Sequence, residues 1–230
     1  MKRKFLLFAA LYIKLGAAFA QTNDSLQTAN VPAQGVPTSI ELFGGNQGFN
    51  FQLILSKQFS PTSKFGFFNV TSFASGYTQS NKITSIISQS GLTAEVWKGI
   101  SVIAGLSAMG FPDEPLQVRP TAGLQYLLFS RDFSVFVLPR FDLTQTYNFE
   151  TLAVLEYKPM LSKSWGIYTR VEGLYNYNTK LGYHDITEIN LRLGLSYKNV
   201  QFGVGSIMDY YGPDFYNVNN FGVFIKTDLF

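Results

Sequence analysis

Residues 188–198 read Glu-Ile-Asn-Leu-Arg-Leu-Gly-Leu-Ser-Tyr-Lys. Ile189, Leu191, Leu193, Leu195 and Tyr197 alternate with Glu188, Asn190, Arg192, Gly194 and Ser196. Successive side chains of an extended chain point to opposite faces, so this segment is a strand with one apolar and one polar face. A helix has no reason to place five apolar residues at strict intervals of two.

The same alternation recurs on both sides of it. Residues 117–128 set Val118, Ala122, Leu124, Tyr126 and Leu128 against Gln117, Arg119, Thr121, Gly123 and Gln125. Residues 133–144 set Phe133, Val135, Val137 and Phe141 against Ser134, Arg140, Asp142 and Thr144, with Phe136 and Leu138 intruding on the polar face. Residues 49–56 alternate Phe49, Phe51, Leu53 and Leu55 with Asn50, Gln52, Ile54 and Ser56. Less regular strands are expected at 65–75, 84–97, 100–111, 149–158, 165–178, 200–211 and 220–229, and a short one at 38–43. Lys98-Gly99 and Lys198-Asn199 suit tight hairpins, and 60–63, 130–132 and 161–164 suit slightly longer turns. The alternate connections fall near 44–47, 76–82, 112–116, 145–148, 179–185 and 212–219. None has the length of a βαβ crossover, so twelve strands form an antiparallel meander.

Composition narrows the class. Charged residues are 14% of the 230 and aromatic residues 16%, against about 25% charged in an ordinary soluble domain. Cysteine is absent, which excludes disulfide scaffolds, thiolate metal sites, cysteine nucleophiles and a lipid-modified N-terminal cysteine. The N-terminus has a basic Lys2-Arg3-Lys4, an apolar run from Phe5 to Ile13, and Ala18-Phe19-Ala20 before Gln21. That is the pattern of a secretory signal peptide over residues 1–20. Without it the basic residues fall from 18 to 14 against 15 acidic ones, and the formal charge moves from +3 to −1. The basic balance thus belongs to the leader, and nothing in it argues for nucleic acid. Residues 21–37 are polar with two prolines and read as a flexible periplasmic lead-in.

A soluble barrel would show the same alternation with its polar face outward. Two features favour the reverse. Aromatic residues collect at both sets of strand ends: Phe59, Phe65, Trp97, Phe129, Phe133, Tyr157, Trp165 and Tyr197 at one, Phe73, Tyr77, Phe111, Tyr147, Phe149, Tyr175, Tyr177, Tyr183, Tyr210 and Tyr211 at the other. Amphipathic rings favour the headgroup level of a bilayer, so two such belts describe a membrane-crossing sheet. The chain also ends in Phe230. In its signal peptide, all-β body and aromatic last residue it resembles bacterial outer-membrane β-barrel proteins, over residues 38–230. The resemblance implies a closed, all-β, antiparallel up-and-down barrel of about twelve strands in the outer membrane. It implies contact with outer-membrane lipid and recognition of the last strand by the barrel-assembly machinery. An even strand number places both mature termini on one side, the periplasm. Counted back from Phe230, Asp228 and Lys226 occupy positions that are usually apolar in that class, so a bulge near Thr227 is one way to restore the register.

Glu95, Arg119, Arg140, Asp142, Glu150, Glu156, Arg170, Glu172, Glu188, Arg192, Asp209 and Lys226, with Asp228, lie on polar strand faces. They are the candidate pore-lining residues. Eight acids against five bases give a mildly cation-preferring, narrow water-filled pore for small solutes; alternatively they pair and seal the lumen of a structural or docking barrel. His184, the single histidine, sits beside Asp185. A rim hydrolase would need a serine next to it, none is placed there by the alternation, and the residue reads as a solvated loop histidine. A soluble secreted barrel carrying an apolar ligand is the remaining alternative. No cofactor, metal or catalytic residue is expected. Gly203-Val204-Gly205 precedes no helix, so it reads as room for lumen groups rather than as a phosphate loop.

Overall fold

The computed structural model describes residues 36–77, 85–111 and 115–230. The signal peptide and nearly all of the lead-in lie outside them, as do parts of the connections at 76–82 and 112–116. Among the described residues twelve strands close into one antiparallel barrel in chain order. They are β1 (Thr38–Gly45), β2 (Gly48–Gln58), β3 (Phe65–Gly76), β4 (Ser85–Trp97), β5 (Ile100–Gly110), β6 (Gln117–Phe129), β7 (Phe133–Asp142), β8 (Phe149–Tyr157), β9 (Trp165–Asn178), β10 (Tyr183–Tyr197), β11 (Val200–Tyr211) and β12 (Tyr216–Leu229). Closure comes from β1 pairing with β12, Thr38 opposite Leu229 and Gly45 opposite Gly222. Every strand edge is thereby satisfied, which a lone sheet cannot achieve. Both described chain ends lie at one end of the barrel.

The expected hairpins are present. Gly99 has φ +75° between Trp97 and its pairing partner Ile100, and Lys198 has φ 52° between Tyr197 and Val200. Two strands begin earlier than the alternation suggested: β10 at Tyr183 and β12 at Tyr216. Their first residues are polar or aromatic on both faces, so period two is lost while backbone pairing continues. The tyrosines at 175, 177, 183, 210, 211 and 216 therefore lie in strand ends, flanking turns at 179–182 and 212–215.

The apolar face points outward. Leu193, Val204, Val223 and Leu92 are 59%, 58%, 62% and 62% exposed, whereas Arg192, Gln201, Lys226 and Glu172 are buried inside. Trp165 packs 4.8 Å from Tyr197 and 6.4 Å from Phe202 at the end bearing the termini, and Phe141 lies 4.9 Å from Phe149 at the other. The outward face of β3 and β4 carries Asn69, Thr71, Ser88 and Ser90, which spoils the alternation of 65–75. These groups satisfy one another: Asn69 Nδ2 donates to Ser90 Oγ at 2.9 Å, and the Thr71 and Ser88 hydroxyls are 2.8 Å apart. Mutual pairing satisfies polar groups that sit on an otherwise apolar face.

The register runs unshifted through Thr227 to Leu229 against β1 and up to Thr227 against β11, so no bulge stands there. Lys226 and Asp228 instead turn inward and are buried, because each finds a partner of opposite charge. Shifts occur elsewhere, between Glu95 and Trp97 and between His184 and Ile186.

Candidate functional site: the barrel lumen

The interior is not uniformly polar. Phe68, Val70, Phe136, Leu138, Leu152 and Val154 form one buried cluster, with Ile54, Ile103, Leu127 and Leu174 packed against it. The Phe68 and Phe136 rings stack 5.2 Å apart. Phe136 and Leu138, the two residues that blurred the β7 alternation, are inward residues of an apolar sector. A second, smaller cluster joins Phe43, Tyr168, Ile207 and Phe224.

Ionic groups fill the remainder in two networks. The first lines β1, β2 and β8–β12. Lys226 Nζ lies 2.7 Å from Asp228 and 3.1 Å from Glu156, and Lys158 lies 2.8 Å from Asp228. Tyr168 donates its hydroxyl to Glu156 at 2.8 Å. Arg170 reaches Glu41 at 3.2 Å, donates to Gln52 at 2.6 Å and bonds Glu172. Arg192 pairs with Glu41 at 2.8 Å and donates to the Ser206 carbonyl at 3.1 Å. Its guanidinium also lies over the Phe43 ring, 4.4 Å from the centroid, which joins charge to the small apolar cluster. Gly205 opposes Arg192 across the β10–β11 ladder. A Cβ there would meet the Leu191 carbonyl oxygen at 2.6 Å and Arg192 Cδ at 2.7 Å, so the glycine leaves room for the β10 backbone and the guanidinium stem.

The second network sits on β4–β9. Arg140 pairs with Asp142 and with Glu150, each at 2.8 Å. Arg119 pairs with Asp142 at 3.1 Å. Gln89 donates to Glu150 at 2.5 Å and Asn176 to its other oxygen at 2.7 Å. Buried charges that pair and take further hydrogen bonds avoid most of the desolvation penalty of isolated ones.

Eleven of the twelve candidate residues thus belong to one of these networks or adjoin it. Glu95 does not: its carboxylate accepts from the Gly99 backbone N–H at 3.2 Å and closes the β4–β5 turn. Glu41, Lys158, Gln52 and Tyr168 were missed. Glu41 was legible, since it alternates between Ile40 and Leu42 in the short first strand. Lys158 was not, since it lies just past the end of β8.

His184 is also corrected. It is buried rather than solvated, on the outward side at the end away from the termini. Its Nδ1 lies 2.8 Å from the Gly212 carbonyl and its Nε2 2.8 Å from Thr187 Oγ1, and Phe215 stacks on the ring at 4.2 Å. The 212–215 turn folds over the ring and shields it. Asp185 bonds Asn148 instead, at 3.3 Å. Among the described residues no acid–histidine–serine relay forms.

The chain is similar to solved porin structures. A KdgM porin aligns at 16% identity over 85% of this chain and 100% of that one, with a TM-score of 0.45. A NanC porin aligns at 9% identity with the same coverage and TM-score. The outer-membrane expressed OmpT of Vibrio cholerae aligns at 10% identity over 80% of this chain and 65% of that one, with a TM-score of 0.35. No protein-family model and no curated protein matches the chain.

The lumen is tight. A polar cavity lined by Asn50, Gln52, Ser72, Glu172, Glu188 and Asn190 among others measures about 10 Å³, room for a single water. A second of about 10 Å³ lies between Phe68, Gln89 and Arg140.

Proposed function

We propose that the protein is an outer-membrane β-barrel, with both mature termini in the periplasm, that passes small polar solutes through a narrow lane with weak cation preference. The supporting observation is the polar band that runs the length of the interior on one side. It descends from Glu188 and Asp209 through Asn190, Glu172, Arg170, Glu41 and Arg192 to Lys226, Glu156, Asp228 and Lys158. The exposed apolar belt supports the membrane setting, since an apolar surface of that extent is unfavourable in water. Guanidinium–carboxylate pairs cross the lane, so passage requires them to part and limits it to ions and small molecules. The protein acts on this reading as a conduit and not as an enzyme.

Single-channel recording of the full chain in a planar bilayer under a salt gradient tests this. Small steps with a cation-side reversal potential are expected. Glu172→Gln should move the reversal potential toward zero, and Glu150→Gln, held in the second network, should leave it in place. An inserted, silent protein overturns the pore. A second reading then follows from the apolar cluster and the ion pairs that fill the lumen: a sealed barrel whose role is structural.

A further inference from the structure

The outward face differs between its two sides. Across β10, β11 and β12, Leu193, Val204 and Val223 stand in one apolar row, each more than half exposed. On β3 and β4 the same face carries a polar patch: Asn69 opposes Ser90 and Thr71 opposes Ser88. Asn69 and Thr71 are the fifth and seventh of the twelve residues of β3, so the patch lies between the two aromatic belts, within the lipid-facing band. Leu55 and Leu53 border it on β2, and Leu106 borders it on β5.

Each of the four side chains takes part in at least one bond within the patch, yet one hydrogen is left over. Asn69 Nδ2 donates to Ser90 Oγ at 2.9 Å and to the Gln89 carbonyl at 3.2 Å, and the Thr71 hydroxyl donates to Asn69 Oδ1 at 3.2 Å. Ser88, whose hydroxyl lies 2.8 Å from that of Thr71, is then the donor of that pair. Ser90 accepts through its oxygen, and among the described residues its own hydrogen meets no acceptor. Acyl chains offer neither donor nor acceptor. A matching occupant of this face presents polar groups of its own at the same depth in the bilayer. A second barrel does so. It inserts in the same direction, so a two-fold axis along the membrane normal brings its patch opposite the first at equal depth. Hydroxyl and amide groups both donate and accept, so the patch complements itself, as contact across a two-fold axis requires.

We propose that two copies of this chain pair in the membrane through the outward face of β3 and β4, with Ser90 of each donating to the polar patch of the other. Leu53, Leu55 and Leu106 surround the polar centre and supply apolar contact area. The proposal rests on the membrane setting of the barrel and not on conduction through it.

Subunit counting by stepwise photobleaching tests this, with the full chain carrying one fluorophore in liposomes over a range of protein-to-lipid ratios. Dimers are expected, and Asn69→Leu combined with Ser90→Leu should raise the dissociation constant about tenfold or more. Both changes place apolar groups on the lipid face, so the heat-dependent gel mobility of a folded barrel should be kept. A second measurement leaves the patch intact. The chain has no cysteine, so Ala108→Cys, opposite Ser88 on β5, should couple two copies through a short thiol cross-linker in native outer membranes. Val204→Cys, on the apolar side, should couple about tenfold less. Monomers at every ratio, trimers, dimers unchanged in the double variant, equal coupling at the two cysteines, or coupling of Ala108→Cys to a different protein each overturns the proposal. A chain that folds and stays in solution without detergent overturns the membrane setting and the dimer together; a dimer that is silent in the bilayer overturns the pore alone.

Discussion

The two sides of the barrel interior solve one problem in different ways. On the β3, β7 and β8 side the lumen is filled by Phe68, Val70, Phe136, Leu138, Leu152 and Val154, held by contact and dispersion. On the β1, β9, β10 and β12 side it is filled by Glu41, Arg170, Arg192 and Lys226, held by pairs that must each be complete. The apolar side tolerates imperfection gradually, because each lost contact is small. The charged side does not, because removal of one partner strands the other in a place without water. The charged side carries the polar band in which the proposed lane lies. A barrel interior can be packed by apolar contact on one side and by ion pairs on the other.

Breaking the charged side should have the largest effect. Arg170→Met removes the ion-pair partner of Glu172, one of the two arginines on Glu41 and a donor to Gln52, and should lower stability by about 3–5 kcal/mol, read from the urea midpoint of the detergent-refolded barrel. Leu138→Ala on the other side should cost about 2–4 kcal/mol through the cavity it leaves. It should not move the reversal potential, and a shift there would show that the lane is not confined to the charged side. Gly205→Ala presses a methyl group against Arg192 and should cost about 1–3 kcal/mol, with a loss of conductance larger than that of Leu138→Ala. Glu188→Gln should be the smallest, a change within about 1 kcal/mol, because Glu188 makes no ion pair among the described residues and a glutamine oxygen still accepts from Asn190. A strongly destabilised Glu188→Gln barrel would mean that Glu188 is a member of the paired network after all.

Much of this molecule was legible along the chain. All twelve strands are present near the expected positions, with β10 and β12 starting earlier, and the inward position of Arg192 or Glu172 follows from the parity of its neighbours. Legibility failed where both faces of a strand share one character. The doubly apolar β7, with Phe136 and Leu138 inside, hid the apolar half of the lumen. The polar outward residues of β3 obscured its alternation, and the start of β12 lacked period two. His184 was misread because the group that covers it, Phe215, is thirty-one residues away along the chain.

The sequence by itself determined the strand number, the antiparallel order and which side chains turn inward, because period two is a local property of an extended backbone. Only the tertiary structure decided which charges pair. Arg192 meets Glu41 from 151 residues away, and Arg170 meets Gln52 from 118. Those meetings depend on closure of β1 onto β12 and on the stagger of the strands around the barrel. By contrast, Glu188 faces Asp209 through the local β10–β11 hairpin, whose register the tight turn at 198–199 already sets.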